Sequence, residues 1–449
     1  MALPQGHQPC LPRKLIETEH NMKTFKASEA YLERARQTIP LGSQTFSKSL
    51  TQYPFGVSPY FIQRGKGSRV WDVDGNEYID FVSSLASVTL GYGDPIVDAA
   101  VRAQLEEGVI FSLPHPIEAE VAELICDLVP CAEMVRFGKN GSDATTGAIR
   151  LARAYTNRDR VAVCGYHGWQ DWYIGSTARH RGVPKATRDL THNFTFNDLA
   201  SLEALLTAHP GEFAAVILEP MSVVMPAPGF LEGVKATAHA HGALLVFDET
   251  ITGFRFANGG AQALFGVTPD LATFGKGLAN GYPVSAVAGR RDVMMLMEEI
   301  FFSFTFGGEA LSLAAARATL KRLRDEPVCD RLAAKGQALQ SGINAVIDRY
   351  GLADTFSVSG HPSWTFLNIK DSGGVDAFEI KTLYLQEMIE RGFLTIGTFN
   401  LNDAHSHDDM TRLSEALAEV LPLIGTALRE GKLRARLRCE PLQPLFKVR

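Results

Sequence analysis

The sequence predicts an α/β protein, with a large domain built on a mostly parallel sheet flanked by helices and a smaller α+β domain assembled from both termini. Three observations carry this expectation. Two short apolar runs, "FAAVILEP" (213–220) and "ALLVFDET" (243–250), bracket a helical stretch, "GFLEGVKATAHAHG" (229–242). Continuous apolar runs of that length suit strands covered on both faces, and a helix between two of them makes a βαβ unit. The chain, at 449 residues, is too long for one hydrophobic core. Beyond about residue 325 the pattern changes to long amphipathic helices.

Taken in order, residues 1–25 are rich in Pro and Gln and read as a loosely ordered extension. They lack the apolar stretch of a secretory signal. Residues 26–65 are assigned to the small domain, 66–325 to the large one, and 326–449 to the C-terminal part of the small one. "SRVWDVDGNEYIDF" (68–81) alternates apolar and polar residues around Asp74-Gly75, the signal of a hairpin. "IEAEVAELICDLV" (117–129) has helical periodicity, and "SDATTGAIRLARAYT" (142–156) opens with a serine suited to cap a helix. The helix between the two apolar strands ends at a glycine cap, and "VSAVAGR" (284–290) is one more strand. "VCDRLAAKGQALQSGINAVIDRY" and "DAFEIKTLYLQEMIERG" are long helices, with "SWTFLNI" a short strand between them.

Composition narrows the function. Hydrophobic residues make up 45%, charged residues 21%, and the formal net charge is −6, which argues against a general nucleic-acid binder. The basic tail "GKLRARLRCEPLQPLFKVR" reads as a solvated terminus rather than a polyanion site. No apolar run approaches the roughly 20 residues that span a bilayer. Six cysteines are thinly scattered, and Cys126 and Cys131 have no second pair nearby to complete a zinc site. The expectation is a cytoplasmic protein without a metal.

Four stretches could carry chemistry. Asp248 closes an apolar strand, where α/β sheets bind ligands, and its carboxylate needs a positive partner. Lys276 in "TFGKGLANG" stands between two glycines at another strand end. The two could form a structural salt bridge, or a cofactor could lie between them and touch both. "RFGKNGSDATTGAIRLAR" (136–153) runs from a Gly- and Ser-containing turn into a helix N-terminus, a ready anion site, although such a turn is often only a cap and Lys139 a solvated side chain. "CGYHGWQDWYIG" (164–175) is dense in aromatics that could pack a core or offer Tyr166 or Trp169 as a platform for a planar ring. A phosphorylated pyridine aldehyde would use all four features. Pyridoxal phosphate needs a lysine, an acid facing its ring nitrogen, an anion cradle and a stacking partner. Glycines on both sides of Lys276 would let it come close to the backbone.

With "LEP" and "FTFGGEALSLAAA" added, these stretches in this order resemble the class III, fold type I pyridoxal-phosphate aminotransferases, in particular the glutamate-1-semialdehyde aminomutase branch, from about residue 30 to 430. The resemblance implies that Lys276 holds the cofactor covalently and shuttles the proton of the substrate, that Asp248 faces the ring nitrogen, and that Gly141 and Ser142 bind the phosphate. It further implies that Tyr166 stacks on the ring and Glu219 lies near it. Thr305 in "FTFGG" would reach the phosphate of a neighbouring subunit, making a homodimer with the active site at its interface.

The substrate side departs from that branch. An ungapped match places Gly397, in "TIGTFNLNDAH" (395–405), where the aminomutases carry a glutamate. Lys48 in "QTFSK" stands for their substrate-contacting arginine, and Leu85 in "SSLAS" for a tryptophan. Ser43, Gln44 and Lys48 are candidate substrate contacts, together with Leu85 and Gly397. The variants "GSQTFSKS", "GYHGWQDW" and "FTFGGEALSLAA" resemble a subgroup associated with polysaccharide or specialised-metabolite pathways. The expected activity is transfer of an amino group from a donor, glutamate by default, to a keto or aldehyde acceptor. The alternatives are a 2,1-aminomutase, an epimerase or a decarboxylase, and, from another class, a binding protein that kept the fold without turnover.

Overall fold

The computed structural model describes residues 23–443. The extension expected over 1–25 therefore lies outside the described residues except at its end, where Phe25 is buried and the Lys23 amide donates to Glu390 Oε1 at 3.2 Å.

Strands β1 (Ile62–Lys66), β2 (Arg69–Asp72) and β3 (Glu77–Asp80) form an antiparallel meander. The β2–β3 hairpin turns at Asp74-Gly75, as the alternation predicts, with Gly75 at φ +88. The central sheet holds β4 (Met134–Gly138), β5 (Arg160–Cys164), β6 (Thr191–Asn193), β7 (Phe213–Leu218), β8 (Leu244–Asp248), β9 (Leu271–Phe274) and β10 (Ser285–Gly289), in the order β4-β10-β9-β8-β7-β5-β6. β7 and β8 pair in parallel, and every residue of both is buried. "VSAVAGR" does supply a strand, but β10 runs antiparallel to both its neighbours.

Burial on both faces follows the period of two. Ile217 and Val246 pack with Ala144, Ala148 and Leu151 of the Gly141–Thr156 helix. Their neighbours Val216, Leu218, Leu245 and Phe247 point to the other face, against Leu202 and Val234 of two further helices. The Phe230–Ala240 helix closes at a glycine as the sequence predicts, with His241 as its cap residue and the Ala243 amide reaching back to Ala238 O at 2.9 Å. Gly242 stands one residue further on at φ +71, where a left-handed turn releases the chain into β8.

After residue 325 come the Val328–Tyr350 helix, a hairpin of β11 (Phe356–His361) and β12 (Trp364–Ile369), the Ala377–Glu390 helix, β13 (Phe393–Leu394), β14 (Thr398–Asn400) and the His407–Arg429 helix. β13 pairs with β3, which joins the C-terminal segment to the first sheet. In the basic tail, Arg434 pairs with Glu379 and Arg438 with Glu390, so these cations lie against acids of the Ala377–Glu390 helix.

Candidate active site

Strand direction builds the site. β4, β5, β7, β8 and β9 all release their chains at one edge of the sheet, the edge where α/β proteins hold ligands. Just beyond these ends stand Asn140, Gly141 and Ser142; Tyr166 and His167; Glu219; Asp248 and Thr250; and Lys276. All of them line one cavity of about 300 Å³, within the range of small-molecule sites. Six of the seven expected cofactor contacts thus share a cavity. The seventh, Thr305, lies in an exposed segment away from the cavity of its own chain.

Asp248 ends β8 with 4% of its surface exposed. The partner that its burial requires is His167, whose Nδ1 lies 2.9 Å from Asp248 Oδ2. Oδ1 accepts from the Thr250 amide at 3.1 Å, Thr250 Oγ1 at 2.6 Å and Thr273 Oγ1 at 3.1 Å. Burial pushes this carboxyl up, but the His167 and Thr250 hydrogen bonds outweigh it and hold Asp248 below the ordinary carboxylate range. It is therefore ionised at neutral pH, with Oδ2 the less saturated oxygen.

The anion cradle is the N-terminus of the 16-residue Gly141–Thr156 helix. Asn140, not Ser142, occupies the cap position, and Asp143 Oδ2 accepts the amides of Lys139 and Asn140 at 3.0 and 2.8 Å. Ser142 sits inside the first turn, and its hydroxyl accepts the Trp169 amide at 3.2 Å. Gly168 makes this possible, because a Cβ there, at φ +102, would collide with Ser142 Oγ. Lys139 is not simply solvated. It lines the cavity and also pairs with Glu309 at 2.8 Å. Burial raises the Glu309 carboxyl, and the lysine brings it back below its usual range.

The aromatic stretch divides its labour. Trp172 and Tyr173 are buried core residues, and Tyr166 presents its ring to the cavity, edge-on to Tyr173 at 5.7 Å. Trp169 is 64% exposed and does not line the cavity. Glu219, just past β7, is buried and accepts the Tyr166 amide at 3.0 Å.

Lys276 has φ +41, a left-handed conformation that a side chain adopts only under constraint. Its flanking glycines make room for protein rather than only for a ligand. A Cβ on Gly277 would stand 2.7 Å from Thr89 Oγ1, and one on Gly275 would stand 3.3 Å from Thr250 Cγ2. The lysine is thus wedged between two packed loops.

None of the five expected substrate contacts lines the cavity. Ser43 Oγ bonds its own turn, at Thr45 O, and Gln44 is exposed. Lys48 Nζ reaches Ser84 Oγ at 3.5 Å, and Leu85 is half-buried against the core. Gly397 is buried at φ +88, so the backbone there calls for glycine whatever the substrate. His167, within "GYHGW", is a functional residue that the sequence reading misses. The signal for it was a histidine three residues past a strand end, level with a buried acid.

The family model of the class-III aminotransferases matches residues 53–361. The chain belongs to that family. This aminotransferase is 36% identical over 405 residues to the 3-aminobutyryl-CoA aminotransferase of Cloacimonas acidaminovorans (strain Evry), an alignment covering 88% of this chain and 96% of that one. It is 38% identical over 440 residues to the glutamate-1-semialdehyde 2,1-aminomutase of Roseiflexus castenholzii (strain DSM 13941 / HLO8), covering 91% and 100%. Among solved structures it superposes on the pyridoxal-phosphate form of the FumI protein of Sphingopyxis sp. MTA144 with a TM-score of 0.83 at 31% identity, covering 93% and 99%. The fold is that of the fold type I enzymes, and the cofactor of the family is pyridoxal phosphate. The residues present fit it: an ionised buried acid, a helix N-terminus with a hydroxyl, a lysine amine and an aromatic ring converge on one cavity.

Proposed function

We propose that this enzyme is a transaminase that takes an amino group from a donor, glutamate, and passes it to a keto or aldehyde acceptor. The observation that carries this reading is the convergence of Lys276, Asp248, Ser142 and Tyr166 on one cavity, while the substrate-side residues of the aminomutases are absent or lie elsewhere. Gly397 has no side chain to serve as an acid, and its backbone conformation disfavours one. The relative named for 3-aminobutyryl-CoA supports intermolecular transfer. A role in polysaccharide or specialised-metabolite synthesis remains part of the proposal.

Lys276 Nζ is the amine that would hold the cofactor, and the same nitrogen would take up the proton of the substrate Cα and return it. Bound pyridoxal phosphate supplies a sink for the electron pair left when the Cα–H bond breaks. Asp248, kept ionised by His167 and Thr250, holds the ring nitrogen protonated. Gly141 and Ser142 would bind the phosphate through amide and hydroxyl donors and Tyr166 would cover a ring face, while Glu219 holds the Tyr166 amide.

We also infer a homodimer, in which Thr305 serves the partner's phosphate site. Phe301, 81% exposed, Phe304 and Phe306 form an apolar exposed segment around Thr305, the kind of patch that marks an interface. The separate seven-stranded sheet supports a large unit within 66–325, whereas the β3–β13 pairing draws β2 and β3 to the unit formed by 26–65 and 326–449, which moves the first boundary past residue 80. The five described cysteines are free thiols, which supports a reducing, cytoplasmic location.

The test is to mix the cofactor-loaded enzyme with glutamate alone. The yellow colour should fade with stoichiometric release of 2-oxoglutarate. An unchanged spectrum with glutamate but a change with another amine would remove glutamate as donor.

A further inference from the structure

Ser83, Ser84, Leu85 and Ala86 have φ of 45, 49, 59 and 66°, four successive residues in the left-handed region without a glycine among them. Side chains resist this conformation because the Cβ crowds the following carbonyl oxygen, so it persists only where the surroundings enforce it. The surroundings here are specific. Asp80 Oδ1 accepts the amides of Val82 and Ser83 at 2.7 and 3.1 Å. Ser83 Oγ donates to Asn400 O at 2.7 Å and accepts from Asn402 Nδ2 at 3.0 Å. Asn400 Nδ2 donates to Val82 O at 2.8 Å.

The far end of the turn is held by Arg255. It is fully buried, and among the described residues no carboxylate pairs with it. Its guanidinium instead spreads over oxygens of three segments: Nη2 donates to Ala86 O at 3.1 Å and Thr89 Oγ1 at 3.4 Å, and Nη1 to Leu401 O at 2.8 Å and Ser363 O at 3.3 Å. A buried guanidinium without a carboxylate partner is costly to desolvate, and the four hydrogen bonds that offset this cost tie the turn to the segments at 363 and 401. The turn leads directly into Ser87, on the cavity wall, and Ser84 receives Lys48 Nζ. Thr89 packs on Gly277, beside Lys276.

We propose that Arg255 is a positioning residue for the substrate side of the site: it fixes the left-handed Ser83–Ala86 turn, and thereby Ser87 on the cavity wall and Ser84, which receives Lys48. The C-terminal segment sets the position of that turn through Asn400, Leu401 and Asn402. The inference rests on the aminotransferase chemistry, not on glutamate as donor.

Arg255→Lys keeps the charge but replaces a fork of donors by a single point. With whichever of L-glutamate, L-alanine and 3-aminobutyrate wild type consumes fastest, KM should rise about tenfold while kcat changes less than about threefold. Amide hydrogen exchange over 82–90 should quicken, with the Gly141–Thr156 helix unchanged. Adding Ala86→Gly should restore KM and exchange, because glycine takes positive φ freely. Ser83→Ala, a milder change at the other end of the turn, should shift KM and exchange the same way and serves if Arg255→Lys does not fold. Unaltered KM and exchange in a folded variant would overturn the proposal, as would a uniform loss of kcat and stability that Ala86→Gly does not relieve. If wild type consumes none of the three donors, the donor panel has failed, and the exchange measurement alone decides.

Discussion

His167→Ala removes the donor 2.9 Å from Asp248 Oδ2 and leaves a buried carboxylate with all its remaining donors on Oδ1. A hydrogen bond to a charged group contributes about 1.5–3 kcal/mol. Since 1.4 kcal/mol is about tenfold, losing it makes Asp248 roughly ten to a hundred times readier to take up a proton. The direction follows from the balance at the site: burial raises this carboxyl, and His167 is the largest influence opposing it. With folded Asp248 below its unfolded value, its ionisation favours the folded enzyme above the unfolded carboxylate range, and that contribution is lost as pH falls through the folded value. In the variant the loss begins at higher pH, as does the failure to keep the cofactor's ring nitrogen protonated. The assay is kcat/KM against pH on the cofactor-loaded enzyme. Wild type should stay flat on the acid side until the protein unfolds, whereas His167→Ala should fall away at distinctly higher pH. His167→Gln, which can still donate, should lie between. A profile for His167→Ala that is parallel to wild type and lower by one factor at every pH would refute the reasoning and leave His167 as packing against Trp172 and Tyr173.

Three further outcomes can be checked. Borohydride reduction should fix the cofactor to Lys276, and Lys276→Ala should lose that linkage; a label found by peptide mass mapping on Lys139, which lines the same cavity, would reassign the amine. Burial pushes His361 and His405 down to about 4, so both are neutral when folded but protonate near pH 6.5 when unfolded. Stability should therefore decline as pH falls from about 6.5 to 4, by up to about 3 kcal/mol per histidine, and denaturant melts of His405→Gln should show a shallower slope in that window. Gly168→Ala forces a Cβ onto Ser142 Oγ at φ +102; it should weaken cofactor binding by about tenfold or more, read by dialysis and absorbance, while leaving the sheet intact.

The cofactor side was legible because each of its residues follows a strand end that hydrophobic pattern alone reveals. Asp248 after "LLVF" and Lys276 after "LATF" are acid and amine on apolar stems, and parallel pairing brings such stems to one edge. The pattern could not show that β10 runs antiparallel, since "VSAVAGR" is equally apolar in either direction. Nor could it name the partner of Asp248, because the contact between residues 167 and 248 depends on strand order. Asn140 and Ser142 both suit an N-cap in the sequence; the helix takes Asn140, and the Ser142 hydroxyl accepts the Trp169 amide instead.

The substrate side was illegible for a different reason. Local rules read "SSLA" as ordinary helix or loop, since left-handed backbone normally announces itself with glycine. Here tertiary contacts from Asp80, Asn402 and Arg255 override the local preference. Gly397 shows the converse, a glycine that invites a reading about a missing acid when its φ of +88 already requires it. At both positions the backbone conformation is fixed before any side chain is considered. Exchanging Leu85 or Gly397 for the aminomutase residues would then not convert the reaction, because each new side chain would sit on a backbone held in place by contacts the exchange leaves untouched.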